Sequence, residues 1–507
     1  RTSLWLWCAV VFCTAFPACD SPQQHTTAPT TALTIGFPEA SVTGAEFGLG
    51  QLITAFTLEG LTQVNFGIDG RALPRLAESW RWENEGRRLR LKLRNDVMFH
   101  DGTRLTASVA TEALKRAIAR PANQAFYPSL TDISDVQPKS ELEFVIELHQ
   151  PSALLPEELD LPLDIGTNVG TGAFRLARQD SEGALLERFD QYYLGAPAIR
   201  EIVIRPFDTL RTSWTSLLRS EVDMVTDVPP EAVEFVRRDD IQTISFARNY
   251  QFLVAFNSRK APFTSPDVRR ALNSAIDRNR LIASVLRGAA HPATGPLWPQ
   301  HWAYDASVQP YGFDPRGAGS LLETAGFQMR GATADSPPAR LRFTCLVPDN
   351  FTLLERIGLE VQKQLYDIGV DMQFEVVPIQ LFNTRVRDGQ FDAILVDMIS
   401  GPTFGRPFLF WRSAREFKGL NTFGYENPEA ERLFQILRTS TNEAAVRSAV
   451  SRLQRVLLED PPALFLAWNQ RTRAVSRRFR VDDSRRDPLF TIWQWTENTD
   501  RQPLSTQ

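Results

Sequence analysis

Four groups of residues have types and spacings that could do chemistry. His100-Asp101 has the form of half a catalytic dyad, a carboxylate beside an imidazole. No nucleophile motif accompanies it, so the pair reads as a turn in which Asp101 bonds nearby amides. His291 and His301 lie in a loop rich in proline and tryptophan, HPATGPLWPQHW, and two imidazoles can begin a metal site. They lack a companion cluster of thiolates or carboxylates, and no metal or other cofactor is expected. Gly170-Thr171-Gly172 could cradle a phosphate, but neither a following Gly-Lys-Ser/Thr nor the spacing of a dinucleotide loop is present. A backbone turn is the better reading. Finally, Phe404, Arg406, Phe408 and Trp411 combine aromatic faces with one guanidinium, which suits an acidic or planar solute; the same residues would also serve as core and rim. Serine-elbow, zincin and clustered Cys/His motifs are absent, so an enzyme is not expected and a hydrolase is the weakest alternative.

A chain of 507 residues is too long for one core and calls for at least two domains. Its 43% apolar and 23% charged residues are those of an ordinary globular protein. A net charge of −4 argues against a dedicated nucleic-acid partner. Near the start, Arg1 precedes an apolar run from Leu4 to Phe16, followed by Pro17-Ala18-Cys19. That pattern predicts a secretory signal over residues 1–18, too short for a membrane span. The cysteine at the cleavage point resembles the lipobox of bacterial lipoproteins, which implies a lipid anchor on Cys19. The polar, Pro/Thr-rich segment 19–31 then reads as a flexible tether. With Cys8 and Cys13 removed and Cys19 lipidated, Cys345 has no partner for an internal disulfide.

The elements that must position any site are legible from periodicity. Tyr250 to Phe256 is aromatic and β-branched enough for a buried strand. Ser265 is an N-cap with Pro266 at the first helical position, and Val268, Ala271, Leu272, Ala275 and Ile276 make a buried helical face. Asp277 caps a second helix ending near Gly288. Leu89, Leu91 and Leu93 alternate with Arg88, Arg90 and Lys92 as in a half-buried antiparallel ribbon, with a turn at Glu85-Gly86. Thr106 or Ser108 can cap the helix that follows. Further on, strand Leu341–Val347, a helix with Leu354, Ile357, Val361, Leu365 and Ile368 on one face, and strands Met372–Val377 and Phe391–Val396 alternate. This predicts a largely parallel sheet with right-handed crossovers. A short return strand is expected from Leu464 to Trp468.

Five segments in order carry a resemblance. YQFLVAFNSRKAPFTSPDVRRALNSAIDR (250–278) resembles the middle signature of the family 5 extracellular solute-binding proteins, the dipeptide, oligopeptide and nickel receptors of ABC importers. LAESWRWENEGRRLRLKLRNDVMFHDGTRL, the ribbon from Gly170 to Gly195, GYENPE at 424–429 and the segment after Glu459-Asp460 are similar to other parts of it. The resemblance implies an α/β, two-lobed periplasmic-binding-protein fold of type II with an extra subdomain in lobe I. Lobe I would comprise 32–256, with the subdomain at about 49–165, lobe II 257–468, and the return to lobe I 469–507. It implies a monomer that captures a peptide-like or other small solute between the lobes and delivers it to an ABC permease in the membrane. A cell-envelope peptide chaperone or sensor receptor without transport is the alternative. The implied contacts are Tyr250, Gln251 and Asn257 at the first crossing, with Trp298, Phe404, Arg406 and Trp411 on lobe II. Peptide receptors of the family hold an acid that neutralises the peptide amine; here the matching position is Gly401, a departure from that pattern.

Overall fold

The strand Ile241–Phe256 runs for 16 residues through the middle of the molecule in the computed structural model. The residues described are 31–39, 48–66, 68–166, 169–332, 338–349, 351–401, 403–413, 420–481 and 486–498. The signal-sequence and lipid-anchor readings at residues 1–18 and Cys19 lie outside them, as does nearly all of the tether.

This strand pairs antiparallel with Ala463–Ser476 along almost its whole length, and its second half, 250–256, also pairs with Ala393–Ile399. The register slips between Ala247 and Gln251, where the ladder is interrupted. The two long strands stand at the centre of an 11-stranded sheet. On one side lie Ala393–Ile399, Leu341–Pro348 and Val370–Val377; on the other lie Met224–Val225, Ala32–Pro38, Glu201–Phe207, Gly183–Arg188 and Phe174–Asp180. One sheet thus serves both halves.

The expectation of a largely parallel sheet holds for the three strands of the second half from which it was drawn. Leu341–Pro348 is parallel to both its neighbours, but the two long strands run antiparallel. Only parallel neighbours need a helical crossover; the long strands arrive from the other half and need none. The return strand likewise extends beyond Trp468 to Ser476. The helix capped by Asp277 stops at Ser284, and Gly288 sits in the turn beyond it at φ 81°.

Alternation along Ile241–Phe256 divides the packing. Phe252, Val254 and Phe256 face a core shared with helices Pro266–Ser274 and Thr352–Tyr366, whereas Leu253 and Ala255 face helices Pro428–Thr439 and Glu443–Glu459. The helix starts follow their caps: Ser265 Oγ accepts from Val268 N, Asp277 from Arg280 N, and Thr106 rather than Ser108 from Val109 N. The ribbon forms a separate four-stranded antiparallel sheet with Leu89, Leu91, Leu93, Phe144 and Ile146 in its own core. Among the described residues no helix is long and apolar enough to cross a membrane.

Candidate functional site

Where the long strands pass between the halves, polar side chains collect on both faces of the sheet. On one face Arg248 stacks over Tyr250 at 4.2 Å and pairs with Asp397 at 3.1 Å, and Asn469 donates to the same Asp397 oxygen at 3.2 Å. Strand alternation puts Asp397 on the side of Ala393 and Leu395, opposite Ile394 and Met398. Arg248 and Asp397 are almost fully buried, so their mutual attraction offsets the loss of hydration. Beside them is a cavity of about 290 Å³ walled by Asp227 and Glu231 from one half and Asp349, Phe351 and Arg356 from the other.

The opposite face holds buried polar atoms without partners. Gln251 is fully buried, and neither its amide nitrogen nor its oxygen has a hydrogen-bond partner. Gln251 is in register with Trp468, which meets Trp298 edge to face at 4.8 Å. The Trp298 indole N–H is also unpartnered. His301 packs on Phe404 at 4.0 Å, and its Nδ1 accepts from Ala303 N at 3.1 Å. Burial, assisted by Arg71, pushes this imidazole down to about 3, so the ring is neutral with its proton on Nε2. That N–H is buried and unpartnered as well.

Across from these groups, the segment Leu154–Leu161 brings three carboxylates together. Leu154, Leu155, Leu159 and Leu161 are buried and anchor it. Thr62 fixes it through Oγ1 to Pro156 O at 2.7 Å and N to Leu159 O at 3.1 Å. Gly60 has no Cβ where one would strike the backbone of Asp160 at 2.5 Å. Glu158 Oε2 accepts from Ser129 N at 2.7 Å, and Oε1 lies 3.0 Å from where a Cβ on Gly405 would be. Burial pushes Glu158 up to about 8 and Asp160 up to about 7, with Arg406 opposing both shifts. Glu157 is raised well above the usual carboxylate range by burial and by the charges of Glu158 and Asp160. Glu157 and Asp160 still keep some accessible surface, as groups lining a crevice do. Asp160 also borders a cavity of about 180 Å³ with Phe66, Phe490 and Trp493.

The sequence-predicted contacts divide among these surroundings. Tyr250 and Gln251 lie at the crossing on its two faces. Trp298 and Phe404 border the unpartnered atoms. Arg406 donates to Phe126 O and lies 5.3 Å from both the Phe126 and Tyr127 rings, so its cation is already engaged. Trp411 stacks against Phe423 at 5.4 Å within the core. The Asn257 amide is held by Gly389 O and Phe391 O at 3.2 and 3.0 Å, away from the crossing. Among the described residues no three His, Cys, Asp or Glu side chains converge as metal ligands. His100 Nε2 bonds Gly172 O at 2.9 Å, and Asp101 accepts from Thr103 N at 2.9 Å, a turn. Glu157, Glu158 and Asp160 escaped the sequence reading, although three acids inside the apolar run LLPEELDLP are a visible signal.

The middle region that defines the bacterial extracellular solute-binding proteins of family 5 matches residues 71–416. The chain belongs to that family. Among relatives of this family 5 protein, the glutathione-binding protein GsiB of Pectobacterium atrosepticum is 27% identical over 478 residues, 88% of this chain and 90% of the relative. NikA of Brucella suis, solved with Fe(III)-EDTA, superimposes with a TM-score of 0.80 at 21% identity, covering 92% of this chain and all of its own. DppA of Helicobacter pylori, an ABC transporter-associated periplasmic binding protein solved with the peptide STSA, gives 0.73 at 18% identity, covering 92% and 98%. The fold is therefore the two-lobed one of family 5, whose members bind solutes.

Proposed function

We propose that this family 5 protein is the substrate-binding component of an ABC importer. It captures a peptide-like or other small solute between its halves and hands it to a membrane permease, with Cys19 as the lipid anchor. Lobe I contains 32–256 with the subdomain at about 49–165, and lobe II runs from 257 to 468. The chain crosses back there, and 469–507 complete lobe I. The observation that carries the reading is a set of buried polar atoms without partners at the crossing and on either side of it: Glu158 Oε1 in the subdomain, Gln251 on the crossing strand, and Trp298 and His301 beyond it. An unsatisfied buried polar group costs about 1–3 kcal/mol. A solute that satisfies several at once stabilises the closed arrangement, which is how a ligand drives closure. A micromolar receptor needs only about −8 kcal/mol net.

The test is native mass spectrometry of protein purified without denaturation from its own cell envelope, paired with solution scattering before and after ligand removal. A co-purifying small molecule and a radius of gyration that falls when it is returned are expected. A single body that never contracts with any fraction of the extract would defeat the proposal. Labelling with radioactive palmitate checks Cys19 separately.

A further inference from the structure

We propose that Glu157, Glu158 and Asp160 form a subsite for the ammonium group of an amine-bearing, peptide-like solute, whose oxygen acceptors face the N–H groups of Trp298 and His301. This deepens the receptor reading and rests on it.

No Lys or Arg makes an ion pair with the three carboxylates among the described residues: Arg71 is bound to Glu443 at 2.7 and 3.2 Å, and Arg406 is turned to Phe126 O. Arg406 acts on Glu158 and Asp160 only through its field. Glu158 is 5% exposed, with one oxygen used and the other unpartnered. Glu157 Oε2 is unpartnered too. Clustered buried acids repel one another and favour protonation; an ammonium group among them reverses both effects with three donors.

The second observation is independent and lies on the opposite half. Trp298 and His301 are each 5% exposed and each ends in an unpartnered N–H. His301 is joined to the acids by contact: it packs on Phe404, and the next residue, Gly405, faces Glu158 Oε1. Arg71 lies 4.3 Å over the ring of Trp302, the residue after His301, and its field reaches both His301 and Glu157. Donors on one side and acceptors on the other match a molecule with an ammonium and a carbonyl or carboxylate, as in an amino-acyl end. The polarity is reversed relative to the pattern in which an acid stands at the position of Gly401. Here a Cβ at Gly401 would touch the Trp298 Cβ at 3.4 Å and the Trp468 ring at 3.5 Å, so that side is apolar.

The test uses the full-length protein, a library of mixed tripeptides with free amino ends, and the same library N-acetylated, with retention read by native mass spectrometry. Retention of free-amine peptides alone is expected. Glu158→Gln should weaken the retained peptide at least tenfold, and Trp298→Phe about fivefold, the effects of losing a charged and a neutral hydrogen bond. Glu158→Gln keeps the shape of the neutral acid, so the ligand-free melting temperature should hold or rise; Asp160→Asn is the second variant. Equal retention of the acetylated library, or unchanged affinity in both variants, overturns the subsite. If the native extract still contracts the protein in scattering, the receptor reading survives that result. If neither library nor extract binds, both fall.

Discussion

Asp132→Ala should open the molecule. Asp132 and Arg438 form a bidentate pair in which the Nε contact is 3.0 Å, and their side chains are only 4% and 6% exposed. Asp132 belongs to the subdomain, whereas Arg438 lies on the helix Pro428–Thr439 of the other half. Gln150 also donates to Asp132, at 2.8 Å. Removing the carboxylate takes the bidentate partner from a guanidinium that stays buried over the Phe408 ring, and breaking a buried pair in this way costs about 3–5 kcal/mol. If the halves part at this contact, the whole penalty falls on the closed form, because Arg438 is hydrated once they separate. About 4 kcal/mol is roughly a thousandfold in the closed-to-open ratio, since about 1.4 kcal/mol is tenfold. Solution scattering should then show a larger radius of gyration for ligand-free Asp132→Ala, and solute affinity should fall by a similar factor. Asp132→Leu combined with Arg438→Met should recover most of the closed population, because an apolar pair carries no desolvation penalty. A scattering profile identical to wild type, with unchanged affinity, would refute a contact that forms on closure.

The folded-state acidities of Glu158 and Asp160 are raised from 4.5 and 3.8 to about 8 and about 7, so their contribution to stability is intact below about pH 4 and is lost as pH rises towards 8. The ligand-free melting temperature should therefore decline over that window, and less steeply in Glu158→Gln. The groups that face these acids are Ser129 N, Tyr127, Arg406, Arg71 and Glu157, and no resolved acidity shift among them enters the same window with the opposite sign. An ammonium ligand favours the ionised acids, so its stabilising effect should grow from pH 5 to about 7.5 and fade as an α-amino group of pKa about 8 loses its proton. Gly358→Val should destabilise by about 1–3 kcal/mol in urea unfolding, because a Cβ there would meet the Phe374 ring at 2.5 Å and Leu395 at 3.1 Å.

Much of the fold was legible because periodicity records burial. Leu354, Ile357, Val361, Leu365 and Ile368 repeat at helical spacing and are all buried; Leu89, Leu91 and Leu93 alternate and are all buried. Ser265 and Asp277 mark helix starts because a side-chain oxygen there satisfies an otherwise free backbone N–H. None of these signals tells a strand's direction, so the antiparallel passage of the two long strands stayed hidden. Nor do they tell what lies opposite. The Arg406 guanidinium meets a carbonyl 280 positions away, and that contact turns a free cation into an occupied one. The same limit applied to the acids. In Leu154–Leu161 the leucines announce burial, but whether Glu157, Glu158 and Asp160 point to solvent or into a crevice depends on Gly405 and His301, which come from the far half. Gly401 was readable as a missing acid, but its replacement could not be sought nearby in the chain. A Cβ at Gly401 would lie in van der Waals contact with the Trp298 Cβ and the Trp468 ring, an apolar surrounding on that side. Under the proposed subsite the negative charge for a solute amine comes from across the gap, from the anchored 154–161 segment.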